Sequence, residues 1–240
     1  ANGFAYKPAE VCRQTTEAKD EKLQALHGRC DTKRVLQGLL TPSSNTALEQ
    51  FDEATILEAS RLVADARVDV IAWNGTSSGW LGFEADVALC RRIEQETGVR
   101  CCTSVLALNE IMEKAGRQCF GLVTPCLDNV HSAIVASCAR SGFDCVAERH
   151  LGHSVNFSFS EVEPEQIRQM ARALAKARSQ CLTTFCTNRR AAQLEPALEA
   201  DLGIPVSDTV STAVWKALRL CGIDTRRVLV SGSSFREEIA

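Results

Sequence analysis

Short, almost uninterrupted apolar runs alternate with amphipathic stretches along this chain, and nearly every run ends in a polar loop. A strand that is apolar on both faces must be covered on both faces, and a parallel sheet between helical layers does this. Val35–Leu40 reads as the first such strand and Val68–Trp73 as the second. Between them, Phe51, Ile56, Leu57, Ala59, Leu62 and Val63 follow helical spacing over 51–66. Helices over 83–97, closed by Gly98, and over 105–115 come next. The pattern then restarts. It runs through strand Gln118–Val123, helix 127–141, strand Asp144–Ala147, helix 163–178, strand Cys181–Phe185 and helix 189–202. Helix 210–221 and strand Arg227–Val230 finish it. Both halves open alike, with Gly38-Leu39-Leu40-Thr41-Pro42 and Gly121-Leu122-Val123-Thr124-Pro125.

The expected fold is therefore α/β, with two pseudo-symmetric doubly wound halves, each on a parallel sheet, and an active site in the cleft between them. Residues 1–33, polar and mixed in charge, read as an N-terminal extension. Residues 34–115 plus 207–240 would form the first half and 116–206 the second. One irregularity stands out. After Glu49 the chain passes straight to the helix at Phe51, where an ordinary unit would insert another strand.

Composition narrows the function classes. The net charge is −3 and charged residues make up 24%, so no basic footprint for nucleic acid is expected. No apolar run reaches the length of about 18 residues that a membrane helix needs, and no signal-like apolar segment opens the chain. A cytoplasmic protein is the expectation. The 12 cysteines contain no C-x-x-C pair, and most are expected as reduced thiols acting as small hydrophobes. Neither a Gly-Lys-Ser/Thr phosphate loop nor a G-x-G-x-x-G fingerprint follows a strand.

Ligands of such sheets bind beyond the carboxyl ends of the strands. Polar loops 41–46, 74–79, 124–129 and 186–189 gather there. The hydroxyls around Asn45 either cap the next helix or help backbone N–H groups hold an anion. Asn74–Gly79 has the same chemistry, with glycines that allow close backbone approach. Gly75-Thr76-Ser77-Ser78-Gly79 also spells a nucleophile elbow centred on Ser77. His150 and His153 come later, but neither follows a late strand with a preceding acid loop, as a triad requires. Cys186 is the best placed of the thiols. It follows a buried strand and precedes a helix whose N-terminus would lower its pKa. Cys126, after Pro125, is second.

Taken together, these loops resemble a known family. Thr41-Pro42-Ser43-Ser44-Asn45-Thr46, Gly75-Thr76-Ser77, Val123-Thr124-Pro125, Cys186-Thr187-Asn188 and Leu202-Gly203-Ile204-Pro205-Val206 carry the likeness. They are similar to the maleate isomerase and arylmalonate decarboxylase branch of the aspartate/glutamate racemase superfamily, over about residues 34–230. The resemblance implies two pseudo-symmetric halves and chemistry that needs no metal or organic cofactor. Racemases use two cysteines on opposite faces of the substrate. Maleate isomerases also use two, one as nucleophile, whereas arylmalonate decarboxylases keep only the second.

By position, Cys186 matches the second cysteine and Gly75 occupies the place of the first. Asn45 matches a carboxylate-binding asparagine, and Asn156 another substrate-contacting one. Cys126 stands where many relatives carry tyrosine. The resemblance thus implies a cysteine-dependent isomerase or decarboxylase of a small carboxylate. Cys186 would be its acid/base, with Ser43, Asn45, Gly75, Thr76, Ser77, Cys126, Asn156, Thr187 and Asn188 binding substrate. The alternatives are a non-catalytic carboxylate-binding protein derived from the fold and a Ser77 hydrolase. An apolar, cysteine-rich surface helix would allow a homo-oligomer.

Overall fold

The structure is a computed structural model and describes residues 36–40, 53–174, 177–228 and 231–237. The N-terminal extension, the loop with Ser43 and Asn45, and the junction after Glu49 lie outside the described residues.

Two parallel sheets form the frame. In the first, β1 (Gln37–Leu40), β2 (Val70–Trp73) and β3 (Arg100–Thr103) lie in the order β1-β2-β3. Gly38 pairs with Ile71, and Ile71 with Cys101. The central strand β2 is buried along its whole length, which explains its unbroken Val-Ile-Ala-Trp sequence. Between β1 and β2 runs α1 (Glu53–Ala64). Between β2 and β3 run α2 (Ser78–Leu81) and α3 (Phe83–Thr97). Gly98, at φ +69°, closes α3 in the left-handed conformation that favours glycine. The reading of 83–115 as two helices thus overlooked β3. Its Arg-Cys-Cys-Thr sequence carries charge at one end and polarity at the other, so it lacks the strand signature.

After α4 (Ser104–Lys114) the second sheet begins. It comprises β4 (Cys119–Thr124), β5 (Asp144–His150), β6 (Cys181–Thr184) and β7 (Val206–Asp208), in the order β5-β4-β6-β7. The helices α5 (Asp128–Arg140), α6 (Asn156–Ser160), α7 (Pro164–Leu174) and α8 (Glu195–Leu202) connect them. The expected helix over 189–202 is shorter than predicted: turns follow Cys186 and the α-helix starts at Glu195. Pro196, in its first turn, favours that starting point. The predicted strand Arg227–Val230 is also corrected. Thr225–Arg227 is a 3-10 turn whose start is capped by the Asp224 carboxylate, and residues 229–230 lie outside the described residues.

The last helix, α9 (Thr209–Leu220), leaves β7 and packs Ala217 and Cys221, just beyond its end, against Val70, Ala72 and Cys102 of the first sheet. A second apolar cluster crosses between the sheets as well. It joins Phe83, Val105 and Leu108 to Phe120, Leu122, Ile134 and Phe185. Burying each such side chain contributes about 1.5–3 kcal/mol, so these two clusters hold the sheets together.

One tight crossing point is Gly79 on α2. A Cβ there would stand 2.7 Å from the Phe185 ring and 3.3 Å from Ile134. Alanine in a helix normally gains about 0.5–1 kcal/mol over glycine. Overpacking a closed core costs about 1–3 kcal/mol and should win here. We predict that Gly79→Ala lowers unfolding free energy in denaturant titrations. A gain in stability would show that the crossing is looser than described.

Candidate functional site

All strands of each sheet run parallel, so their carboxyl ends emerge on one edge. The end of β2 leads into Asn74–Ser77. Asn74 is buried; its N–H donates to the Leu40 carbonyl at 2.7 Å, and its Oδ1 accepts from Ser104 Oγ at 3.1 Å. This pins the start of the loop. Gly75 is buried and Thr76 half-buried, while Ser77 is buried at the start of α2. A Cβ at Gly75 would sit 2.5 Å from the Trp73 indole, itself a core residue. Position 75 is therefore closed to any side chain unless Trp73 moves.

The ends of β4 and β6 carry the two thiols singled out in the sequence. Cys186 follows β6 and is 5% exposed. Its backbone N–H donates to Thr209 Oγ1 at 3.2 Å, and the Asn188 backbone N–H bonds its sulfur. The expected helix N-terminus is not next to it, because turns separate Cys186 from α8. Burial pushes the thiol up to about 12, against the pull of the Arg189 cation. The expectation of a lowered thiol pKa from a helix dipole is thereby corrected: desolvation wins.

Cys126 lies within electrostatic reach of Cys186. Burial lifts its pKa to about 11, while Arg189 and a hydrogen bond with the Thr124 side chain pull it down. The structure thus brings Cys126, Cys186 and the turn with Thr187 and Asn188 together. Both Thr187 and Asn188 are half-buried. Gly79 against Phe185 sets α2, and with it the Gly75–Ser77 loop, beside the same strand end. Asn156 opens the short helix α6. Just before α6, Gly152 and His153 donate backbone N–H groups to the Cys126 and Pro125 carbonyls at 3.1 and 2.9 Å.

Three residues that sequence reasoning passed over complete the site. Arg189 is 4% exposed. One of its terminal nitrogens donates to the Val123 carbonyl at 3.0 Å, while Nε and Nη1 have no hydrogen-bond partner among the described residues. A buried guanidinium with idle donors needs a reason, since leaving such groups unpaired costs more than an ordinary lost hydrogen bond. Burial lowers its pKa, and both thiols and Asp208 act the other way.

Asp208 ends β7 fully buried. Its Oδ2 accepts from Thr184 Oγ1 at 2.6 Å and its Oδ1 caps α9 through the Val210 N–H at 2.9 Å. Glu195 accepts from the Asp208 N–H at 2.6 Å and the Gly232 N–H at 3.1 Å. Burial raises Asp208 to about 6 and Glu195 to about 8. The Asp208-Thr209 pair before an apolar helix is readable as an N-cap. Arg189, in a polar Thr-Asn-Arg-Arg run, gave no sign that it turns inward.

Among the described residues, no hydrogen bond joins Ser77 to a histidine. His131 bonds Thr124 and Glu148, and His150 bonds Asp128. A separate pocket of about 280 Å³ lies among Cys90, Cys101, Cys102, Leu106 and Lys216, away from the two thiols.

The profile of the arylmalonate decarboxylase family matches residues 37–232. No curated protein sequence matches the chain significantly. Among solved structures, a liganded double mutant of arylmalonate decarboxylase is 21% identical with a TM-score of 0.73, over 80% of this chain and 83% of that one. A Nocardia farcinica maleate cis-trans isomerase mutant with a covalently bound succinylcysteine intermediate is 20% identical. Its TM-score is 0.75, over 83% of this chain and 97% of that one. A Pseudomonas putida maleate isomerase variant with maleate is 18% identical with a TM-score of 0.70, covering 80% of each chain. At these identities the structures establish a shared fold.

The Asp208 carboxyl gives a pH signature. Its pKa is raised from 3.8 to about 6 in the folded protein. Its contribution is therefore most favourable below pH 3.8 and is lost as pH rises through about 6. Asparagine can keep both the cap and the Thr184 bond. We predict that stability falls less between pH 4 and 7 in Asp208→Asn than in the native protein. Equal slopes in denaturant unfolding would exclude a buried titrating carboxyl there.

Proposed function

The chain belongs to the arylmalonate decarboxylase family, and from that premise we propose an enzyme in which Cys186 delivers a proton to the carbon beside a carboxylate. The observation that carries this reading is the buried Cys186 thiol, with the Asn188 N–H on its sulfur and burial disfavouring its thiolate, beside an Arg189 guanidinium whose Nε and Nη1 have no partner among the described residues. Such a thiol is an acid at neutral pH rather than a ready nucleophile. This favours decarboxylation followed by protonation over thiolate addition to a double bond. Gly75, with Trp73 closing the space above it, favours the same single-thiol chemistry.

The substrate we propose is a small malonate-type dicarboxylate, bound between a first half of residues 34–115 plus 207–240 and a second half of residues 116–206. Thr76, Ser77 and the backbone N–H groups of their loop would hold one carboxylate. Ser43, Asn45 and Asn156 are further candidates for substrate contact. Loss of carbon dioxide leaves the bond's electron pair on the substrate as an enediolate. The Cys186 S–H bond then breaks, its proton forming the new C–H bond. The thiolate left behind stands next to Arg189 and regains a proton from solvent. The idle Arg189 donors suit the developing anion, because preformed dipoles in a dry site need no reorganisation. No cofactor enters this scheme. Among the described residues no disulfide is formed, which fits a reducing compartment such as the cytoplasm. Among the described residues no helix is long and apolar enough to cross a membrane.

Full burial of Cys186 also suits a second reading, a carboxylate-binding protein without turnover. Proton NMR in D₂O with malonates, maleate and the aspartate and glutamate enantiomers separates the two. We expect decarboxylation with deuterium entering at one carbon. Cys186→Ala should lose about 10²–10⁴-fold in turnover, the usual size of a general-acid contribution, with unfolding little changed. Arg189→Met should lose about 10²–10³-fold, as removal of an anion-stabilising donor does. Retained turnover in Cys186→Ala would refute the acid assignment, and ligand binding without turnover would establish the second reading.

A further inference from the structure

A cluster of metal-binding side chains lies on the edge strand of the second sheet, outside the thiol chemistry. His131, Glu148 and His150 offer ligand atoms that all lie within 4.8 Å of one another. Glu148 and His150 alternate along β5 and so share one face. His131 comes down onto that face from the first turns of α5. Its Nε2 stands 2.5 Å from Glu148 Oε2, and its ring centroid lies 4.5 Å from that of His150. A second carboxylate, Asp128, sits one helical turn before His131 and meets His150 Nε2 at 2.9 Å.

The supporting contacts are those of a ligand set. His131 is 1% exposed, and its other nitrogen, Nδ1, lies 2.8 Å from Thr124 Oγ1. If Nε2 is given to a cation, Nδ1–H donates to that hydroxyl, fixing ring and tautomer as partners of metal-bound histidines do. Arg149, between the two strand ligands, points to the other face and bonds the Glu148 carbonyl. The side chains of Glu148 and His150 are 49% and 29% exposed, so an ion can enter from solvent and keep water in an open position.

We propose that His131, Glu148 and His150 bind a divalent transition ion of the zinc class, with Asp128 alongside. Two imidazoles and one carboxylate suit zinc, cobalt or nickel and disfavour calcium and magnesium, which seek oxygen-rich shells. A spread of 4.8 Å closes onto zinc bonds of about 2.0–2.2 Å by small side-chain rotations. The ion would stand outside the reaction and act on its framework. Thr124 touches both His131 and the Cys126 thiol, so filling the site would stiffen the Cys126 loop.

The test uses the whole chain, reduced and freed of metal, titrated with zinc chloride by calorimetry and with cobalt chloride by absorption. We expect a single equivalent bound, a rise in Tm with zinc, and a cobalt spectrum with visible d–d bands but no thiolate-to-metal band. His150→Ala and Glu148→Gln, both at partly exposed positions, should weaken zinc binding roughly 10–100-fold, the size expected for loss of a supporting group or more. Cys186→Ser should leave it unchanged. No binding, unchanged affinity in both ligand variants, or a cobalt spectrum dominated by thiolate bands would overturn the proposal.

Discussion

The hydrogen bond from Thr184 to Asp208 holds together everything that surrounds the proposed acid. Thr184 ends β6 two residues before Cys186, and Asp208 ends the neighbouring strand β7. One carboxylate oxygen receives the threonine proton and the other caps α9. The same residue's backbone N–H reaches Glu195, whose second oxygen reaches Gly232. Two strands, two helices and the C-terminal segment are thus tied beneath one thiol. Thr209, fixed by that cap, then accepts the Cys186 N–H. Burying ionisable groups costs several kcal/mol each unless partners compensate. Here every carboxylate oxygen of the pair has a donor, which offsets much of the penalty.

Close packing fixes two glycines at the edge of the site. Gly79 rests on Phe185 and Gly75 lies against Trp73, both within distances a side chain would not tolerate. A thiol at position 75 would therefore need a different residue at 73 or a displaced indole. The glycine at position 75 is thus tied to the core through Trp73.

The strand–helix alternation and both parallel sheets were legible in the sequence because their strands are apolar and their ends polar. β3 and β7 were not: Arg100 and Thr103 bracket two cysteines in the one, and the other is only the three residues Val206–Asp208. Cys186 and Cys126 were legible as residues just past strand ends. Their ionisation was not, because it depends on desolvation and on a neighbour's direction, neither of which a linear pattern encodes. Arg189 illustrates the gap: its neighbour Arg190 is exposed while Arg189 is buried, within the same polar run. Asp208 could have been recognised as a helix cap, but its link to Thr184 joins residues 24 apart in the chain.

In the proposed chemistry, Cys186 would act as an acid and only briefly as a base. At a pKa near 12 Cys186 keeps its proton in the resting protein, so Arg189 has no thiolate to pair with. Asp208 is the acid closest in effect to that guanidinium, and its own bonds go to Thr184 and Val210. Among the described residues the cation therefore keeps donors that an anion could meet. A substrate carboxylate would engage them first. The Cys186 sulfur, once its proton has gone to carbon, would feel the same charge. One buried arginine would thus favour two successive anions without stabilising either in the empty site, where a thiolate formed too early would leave no proton to give.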